Sequence, residues 1–299
     1  MKPDILNPPS GKVLLADGAI GTELQKRGLD LGSIGESWNV EKPEAVQSVH
    51  RDYFEAGARL VTTNSFRANR FSLAHHHLDS RVQELNRQAA ALARAAVGED
   101  AIVLGSVGPF GDFLTPLGAT DPADAKAWFL EQARALLEGG ADGIVVETMA
   151  ALDEAEIAIR AAREAGAPIV VGLMTFNKSK SGYRTMMGAT PQQCAQAMLD
   201  AGADIIGSNC GVELSIQDYA EIVRQLRSCT TKPIEIRPNA GQPELTETGV
   251  VYKQAAEIMA QEVIELFAAG ANIIGGCCGT TPEHIRHFHS RLAGAGILA

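Results

Sequence analysis

Apolar residues in this chain come in short bursts separated by longer amphipathic stretches. Eight bursts stand out, at 13–19, 60–66, 102–107, 143–149, 169–176, 205–210, 234–238 and 273–278. Each is rich in Val, Ile and Leu at consecutive positions, which fits a parallel strand buried on both faces. Helical periodicity follows most of them, as at 81–97, 122–138, 151–165 and 254–268. One phrase marks the passage from helix to strand. Ala56-Gly57-Ala58, Gly139-Gly140-Ala141, Ala165-Gly166-Ala167, Ala201-Gly202-Ala203 and Ala269-Gly270-Ala271 each precede an apolar run. A glycine at that place suits a left-handed helix C-cap.

Strand then helix, eight times over, predicts an α/β protein built as a (β/α)8 TIM barrel. The pattern reads as a single domain over 12–292, with an N-terminal extension at 1–11 and a C-terminal tail at 293–299. The competing architecture is a doubly wound open sheet. That fold usually carries a Gly-rich phosphate loop after its first strand, and Asp17-Gly18-Ala19-Ile20-Gly21-Thr22 has the wrong spacing for one.

Composition narrows the classes. The 299 residues are 45% hydrophobic, enough for one large core. A net charge of −10 argues against a nucleic-acid partner. No apolar run reaches the roughly 18 residues of a membrane span, and the polar, Pro-rich stretch 1–11 has no signal-peptide pattern. The expected location is the cytoplasm, where clustered cysteines point to metal or catalysis rather than disulfides. The chain has five.

In a barrel of this type the C-terminal strand ends carry the chemistry. Here they read Asp17-Gly18, Thr63-Asn64-Ser65-Phe66, Glu147-Thr148, Asn209-Cys210, Pro238-Asn239-Ala240-Gly241 and Cys277-Cys278. Cys210 and Cys277 close the sixth and eighth runs, and alternate strands feed the same interior layer. Gly275-Gly276 and Gly279 give the backbone freedom to bring Cys278 round as a third sulfur. Three thiolates select zinc and leave its fourth position free, as in a catalytic site. The other reading is three inert core cysteines. Asp17 and Glu147 form a carboxylate pair able to hold an ammonium group, or else a turn residue and a helix-start charge. Asn64, Asn209 and Asn239 are turn and capping groups or substrate contacts, and Asn239 could fill the metal's open position.

Other features read as bland. His75-His76-His77, His284, His287 and His289 read as surface residues, and Cys194 and Cys229 as helix packing. The stretch 182–188 is a flap over the pocket or a long loop.

A zinc bound by three thiolates is a weak Lewis acid, better suited to binding a substrate thiol than to activating water. Metal coordination deprotonates a thiol, and the thiolate is the nucleophile. A carboxylate pair nearby then suggests a thiol bearing an amino group, such as homocysteine or cysteine. Asp17-Gly18-Ala19-Ile20-Gly21-Thr22-Glu23, Thr63-Asn64-Ser65-Phe66, Glu147-Thr148, Asn209-Cys210, Pro238-Asn239-Ala240-Gly241 and Gly275-Gly276-Cys277-Cys278-Gly279-Thr280-Thr281-Pro282 together resemble the homocysteine S-methyltransferase family. The resemblance runs from about Leu14 to His287. It implies a (β/α)8 barrel that transfers a methyl group to homocysteine, giving methionine. It also implies Zn2+ on Cys210, Cys277 and Cys278, with Asp17, Gly18 and Glu147 at the amino acid end of the substrate.

Within that family the chain is most similar to the homocysteine-binding module of cobalamin-dependent methionine synthases. Those enzymes are much longer, and their cobalamin- and folate-binding modules have no counterpart here. The expected donor is therefore a methyl-corrinoid supplied in trans by a partner protein. Betaine- and S-methylmethionine-dependent relatives are the alternative. Trp38 could serve the cation–π contact a cationic donor needs, but Arg67, where betaine-dependent relatives have a tyrosine, would repel it. A non-catalytic zinc- or thiol-binding subunit is the third reading, and it leaves Asp17 and Glu147 without a purpose.

Overall fold

The computed structural model describes residues 2–246 and 249–299, and it places a parallel strand in every one of the eight apolar runs. The barrel strands are β1 (Leu14–Leu15), β2 (Leu60–Thr62), β3 (Ile102–Val107), β4 (Gly143–Met149), β5 (Val170–Met174), β8 (Ile205–Asn209), β9 (Ile234–Arg237) and β12 (Ile273–Ile274). Two antiparallel hairpins lie outside the barrel sheet: β6 (Asn177–Ser179) with β7 (Gly182–Arg184), and β10 (Pro243–Thr246) with β11 (Gly249–Tyr252). The stretch 182–188 thus begins as the second arm of a hairpin. The sheet order is β1-β12-β9-β8-β5-β4-β3-β2. A bridge from Ala16 to Leu60, with Asp17 N donating to Leu60 O at 2.9 Å and Arg59 N to Leu15 O at 2.8 Å, joins the two edges into a ring.

Helices surround the ring: α1 (Gly21–Lys26), α2 (Trp38–Glu41), α3 (Pro43–Glu55), α4 (Arg70–Ala74), α5 (Val82–Val97), α6 (Pro122–Glu138), α7 (Leu152–Glu164), α8 (Pro191–Ala201), α9 (Ile216–Arg227), α10 (Ala256–Ala268) and α11 (Pro282–Gly294). The recurring glycines do what their position demands. Gly57, Gly140, Gly166, Gly202 and Gly270 all have φ between 90° and 111°, the left-handed turn that redirects the chain from helix to strand.

Strand residues alternate between two apolar environments. Leu14, Ala16, Leu60, Ile102, Leu104, Val145, Val171, Leu173, Ile205 and Ile273 fill the barrel interior. Their neighbours Leu15, Val61, Val103, Ile144, Val146, Val170, Ile206, Ile234 and Ile274 pack under the helices. The period of two then sets what comes next. Thr62, Ser106, Glu147, Asn209 and Arg237 keep the inward parity one step nearer the C-terminal strand ends. A polar layer therefore sits directly on an apolar one.

The termini are part of the barrel. Ile5 is buried with the interior cluster, and Lys2 Nζ reaches Asp142 Oδ1 at 2.6 Å just before β4, so the N-terminal stretch covers the N-terminal mouth. Met1 lies outside the described residues. At the other end, Val13 N donates to Ile297 O at 2.8 Å and Ala299 N to Val13 O at 3.0 Å, which fastens the tail beside β1. Among the described residues, no helix is long and apolar enough to cross a membrane.

A buried acid anchors the loop after β3. Glu154, near the start of α7, accepts a hydrogen bond from Phe110 N at 2.8 Å. Burial pushes its carboxyl up to about 7, against that bond, with Asp153 adding to the rise. The folded protein thus holds this proton more tightly than the unfolded chain does. The stability it contributes is full below the ordinary carboxyl value of 4.5 and is lost as pH rises through about 7. Glu154→Gln keeps an acceptor for Phe110 and does not titrate. In urea denaturation, wild type should lose about 2–3 kcal/mol relative to Glu154→Gln as pH rises from the acid side to the alkaline side of that window. Parallel pH profiles for the two proteins would remove Glu154 from this role.

Candidate metal centre and substrate pocket

The three sulfurs meet at the C-terminal mouth. The Sγ atoms of Cys210, Cys277 and Cys278 all lie within 4.8 Å of one another, and Cys210 Sγ is 3.5 Å from Cys278 Sγ. Strand parity alone does not bring them there. β8 ends at Asn209, and Cys210 follows with φ of 57°, a left-handed conformation that breaks the pleat. Asn209 and Cys210 are therefore both free to face the site: Asn209 Nδ2 lies 3.7 Å from Cys277 Sγ. β12 stops earlier still, at Ile274. Gly275 N and Cys277 N continue to bond Ile236 O (3.0 Å) and Pro238 O (2.8 Å), so the Gly-Gly-Cys-Cys segment stays attached to β9 without regular pleating.

A tight turn fixes the pair of cysteines. Thr280 Oγ1 donates to Cys277 O at 2.7 Å, and Gly279 carries φ of 78°. Tyr53 Oη donates to Thr280 O (3.0 Å) and Ala19 O (2.8 Å), tying this turn to the loop after β1. A Cβ on Gly18 would stand 2.5 Å from Thr280 Oγ1, so that loop can approach only as glycine. The Thr281 hydroxyl caps α11, and His284 completes the capping box. His284 is buried, with Nε2 3.0 Å from Gln254 O, which corrects its reading as a surface residue. The cap signal was in Thr281-Pro282-Glu283-His284 itself. His75 and His77 are exposed or at the surface as expected.

Thiols this close cannot all ionise on their own. Hydrogen bonds from Cys210 and Cys277 draw Cys278 down to about 3. Cys210 is drawn down by its bond with Cys277, but the bond with Cys278 and burial outweigh this and push it up to about 12. Bonds to Cys210 and Cys278 and burial raise Cys277 far above its ordinary value. A divalent cation among the three sulfurs removes that penalty, and three soft donors suit zinc. Asn239 offers an oxygen as a candidate fourth donor. Its Nδ2 donates to Gly211 O at 3.1 Å, while its buried Oδ1 has no partner. Ala240 N bonds Cys278 O, so Asn239 is held between the two cysteine segments. The residues present therefore fit a zinc ion.

Beside the sulfurs lies a cavity of about 430 Å³ whose wall includes Gly18, Asn64, Glu147 and Arg237. Glu147 accepts from Ser106 Oγ at 2.5 Å and from Asn209 Nδ2 at 3.2 Å. Burial raises its carboxyl, opposed by Arg237 and the Ser106 bond. Asn209 is clamped in turn by Thr148, whose N donates to Asn209 Oδ1 at 2.9 Å. Asn64 donates to Gly35 O and Asn39 Oδ1, so it shapes the wall as well as lining it. Asp17 is placed differently. It is fully buried, accepting from Arg237 Nη1 at 2.8 Å and Thr62 N at 2.7 Å. Burial pushes it up to about 6, against Arg237 and the bonds from Thr62. Its charge is committed to Arg237.

Several residues here escaped the sequence reading. Arg237 and Glu235 are buried inside the barrel, with Arg237 Nε donating to Glu235. Tyr252, on β11, packs against the turn at Gly279, where an added Cβ would meet its side chain at 2.2 Å. Glu36 accepts from Arg67 N at 2.6 Å, and both residues line the cavity, with the Arg67 side chain exposed at its edge. Trp38 is the opposite case. Its ring is buried and carries Lys42 Nζ 4.0 Å from its centroid, so that face is already taken by a cation.

Residues 14–292 match the family described as homocysteine S-methyltransferase. The methionine synthase of Mycobacterium tuberculosis is 33% identical over 97% of this chain and 25% of its own length. That of Mycobacterium leprae is 32% identical with the same coverage. The chain thus spans about a quarter of these relatives. The homocysteine methyltransferase MmuM of Escherichia coli, in its metallated form, superposes with a TM-score of 0.77 at 26% identity, covering 94% of this chain and 96% of that one.

Proposed function

The chain belongs to the homocysteine S-methyltransferase family, and on that premise we propose that it is a zinc-dependent enzyme that methylates the thiol of homocysteine to give methionine. The observation that carries this is one wall holding three clustered thiols and a clamped carboxylate, Glu147. That MmuM has a metallated form supports a metal in a protein of this fold and family. When bound, zinc supplies deprotonation of the incoming thiol at neutral pH.

The chain's own residues do the rest. Cys210, Cys277 and Cys278 would hold the metal, and Asn239 Oδ1, otherwise unpaired, would be its fourth donor in the absence of substrate. Glu147 accepts the substrate's ammonium group, kept in orientation by Ser106 and Asn209. Gly18 gives the amino acid end a close backbone approach, and Asn64 forms the wall beside it. Asp17 acts one step back, through Arg237.

The donor we propose is a methyl-corrinoid carried by a partner protein. Arg67 at the cavity's edge supports this reading, since it would repel a quaternary ammonium or sulfonium, and the Trp38 face that could have bound one is covered by Lys42. Zinc-loaded protein, offered homocysteine with methylcobalamin, betaine or S-methylmethionine, should make methionine from methylcobalamin. Methionine from betaine or S-methylmethionine instead would overturn the donor. Full zinc occupancy with no product from any donor, including a corrinoid protein, would favour the non-catalytic thiol-binding reading.

A further inference from the structure

Two residues at the mouth sit on left-handed backbone: Thr148 with φ of 61° and Cys210 with φ of 57°. A β-branched residue there is an outlier, and such outliers persist where the surroundings fix them and cluster at functional sites. Asn209 joins the two. It is buried at the end of β8, immediately before Cys210, and its Oδ1 accepts from Thr148 N at 2.9 Å. A backbone N–H needs an oxygen, so this bond settles which way the side-chain amide points. The Nδ2 hydrogens then face three acceptors: Thr148 Oγ1 at 2.8 Å, Glu147 Oε2 at 3.2 Å and Cys277 Sγ at 3.7 Å. Glu147, Thr148 and Cys277 wall the cavity, while Asn209 stands behind them.

A methyl donor at this mouth meets the substrate's sulfur and the chain's own Cys210, Cys277 and Cys278. At any of them the sulfur lone pair would form the new S–C bond, while the donor's bond to carbon breaks and its electron pair leaves with the donor. Transfer to a cysteine would consume the donor and spoil a metal ligand. An N–H held on a thiolate lowers its basicity about 10- to 100-fold. Nucleophilicity follows basicity with a slope of roughly 0.4–0.5, so alkylation slows about 3- to 10-fold. We propose that Asn209 is a positioning residue that keeps an amide N–H on the Cys277 sulfur, so that Cys277 holds the metal without competing for the methyl group. This rests on the metal-thiol centre proposed above and adds the residue that protects one of its ligands.

Iodomethane on zinc-loaded protein tests it, with iodide as the leaving group and S-methylation of each cysteine followed by peptide mass spectrometry. Two variants remove the N–H. Asn209→Asp keeps an acceptor for Thr148 N and adds a charge, whereas Asn209→Leu is uncharged and gives up that bond. Only the loss of the N–H is common to both. In each, Cys277 should be methylated about 3- to 10-fold faster than in wild type, with Cys210 and Cys278 within about twofold. The cobalt(II)-loaded variants should also absorb at longer wavelength in their sulfur-to-metal band, because a sulfur freed of the N–H gives up charge to the metal more readily. A brace for the backbone alone would leave that band in place. Unchanged Cys277 methylation and an unmoved band in metal-replete variants would overturn the inference. So would Cys277 being methylated fastest of the three in wild type. Loss of the metal from both variants would also overturn it, leaving Asn209 as a structural brace. Wild type that takes up neither zinc nor cobalt would instead sink the metal-thiol reading, and this inference with it.

Discussion

Cys277→Ser will keep its fold, lose tight zinc binding and take methyl transfer to homocysteine below about 1% of wild type. The fold survives because the backbone bonds that hold this segment, Cys277 N to Pro238 O and Thr280 Oγ1 to Cys277 O, do not involve the sulfur. The metal is lost because serine offers a hydroxyl with a far higher pKa than a thiol, and the two remaining thiols repel each other's charge. Losing a group that hydrogen-bonds a metal ligand typically costs about 10- to 100-fold in metal affinity, and removal of a ligand atom costs more. Elemental analysis with a circular dichroism spectrum checks both halves. Activity retained without bound metal would mean that the cysteines are packing residues.

The second large effect is at the opposite end of the substrate. Glu147→Gln is isosteric and keeps bonds with Ser106 and Asn209, so zinc content and stability should stay near wild type. What it loses is the charge that faces the substrate's ammonium. Truncating one partner of a buried charged pair costs about 2–5 kcal/mol. The KM for homocysteine should therefore rise by roughly a hundredfold or more. The effect should fall on KM rather than on the turnover number at saturation, because the ammonium is remote from the reacting sulfur. A variant with unchanged KM would move the ammonium site away from Glu147.

How much of this was legible without coordinates follows from the range of each interaction. The eight strands could be read because burial on both faces leaves an uninterrupted apolar run, and five helix ends because a left-handed glycine repeats before the strand that follows. The convergence of Cys210, Cys277 and Cys278 followed once strand ends were known to share one face. The means of convergence did not. It depends on Cys210 leaving the pleat with positive φ, a backbone choice that no side chain advertises. Asp17 and Glu147 were read as an equal pair, whereas Arg237 takes Asp17 and leaves Glu147 to the cavity. That pairing spans 220 residues of chain and is invisible to local pattern. The charged residues alternating within the run 234–238 were nevertheless a usable signal, because a strand buried on both faces cannot carry charge unpaired. Trp38 and His284 were misread for different reasons. His284 meets Gln254, which only the fold brings close, whereas Lys42 follows Trp38 by one helical turn and was within reach of local pattern.

The central claim is that the substrate's own sulfur completes the cluster of Cys210, Cys277 and Cys278. Zinc K-edge X-ray absorption on the zinc-loaded protein, with and without homocysteine, measures this directly. Three sulfur neighbours and one oxygen should become four sulfurs when homocysteine is added, with no change on adding methionine's carbon analogue norleucine. A zinc whose neighbours stay the same with homocysteine at saturation would contradict thiol activation by this centre.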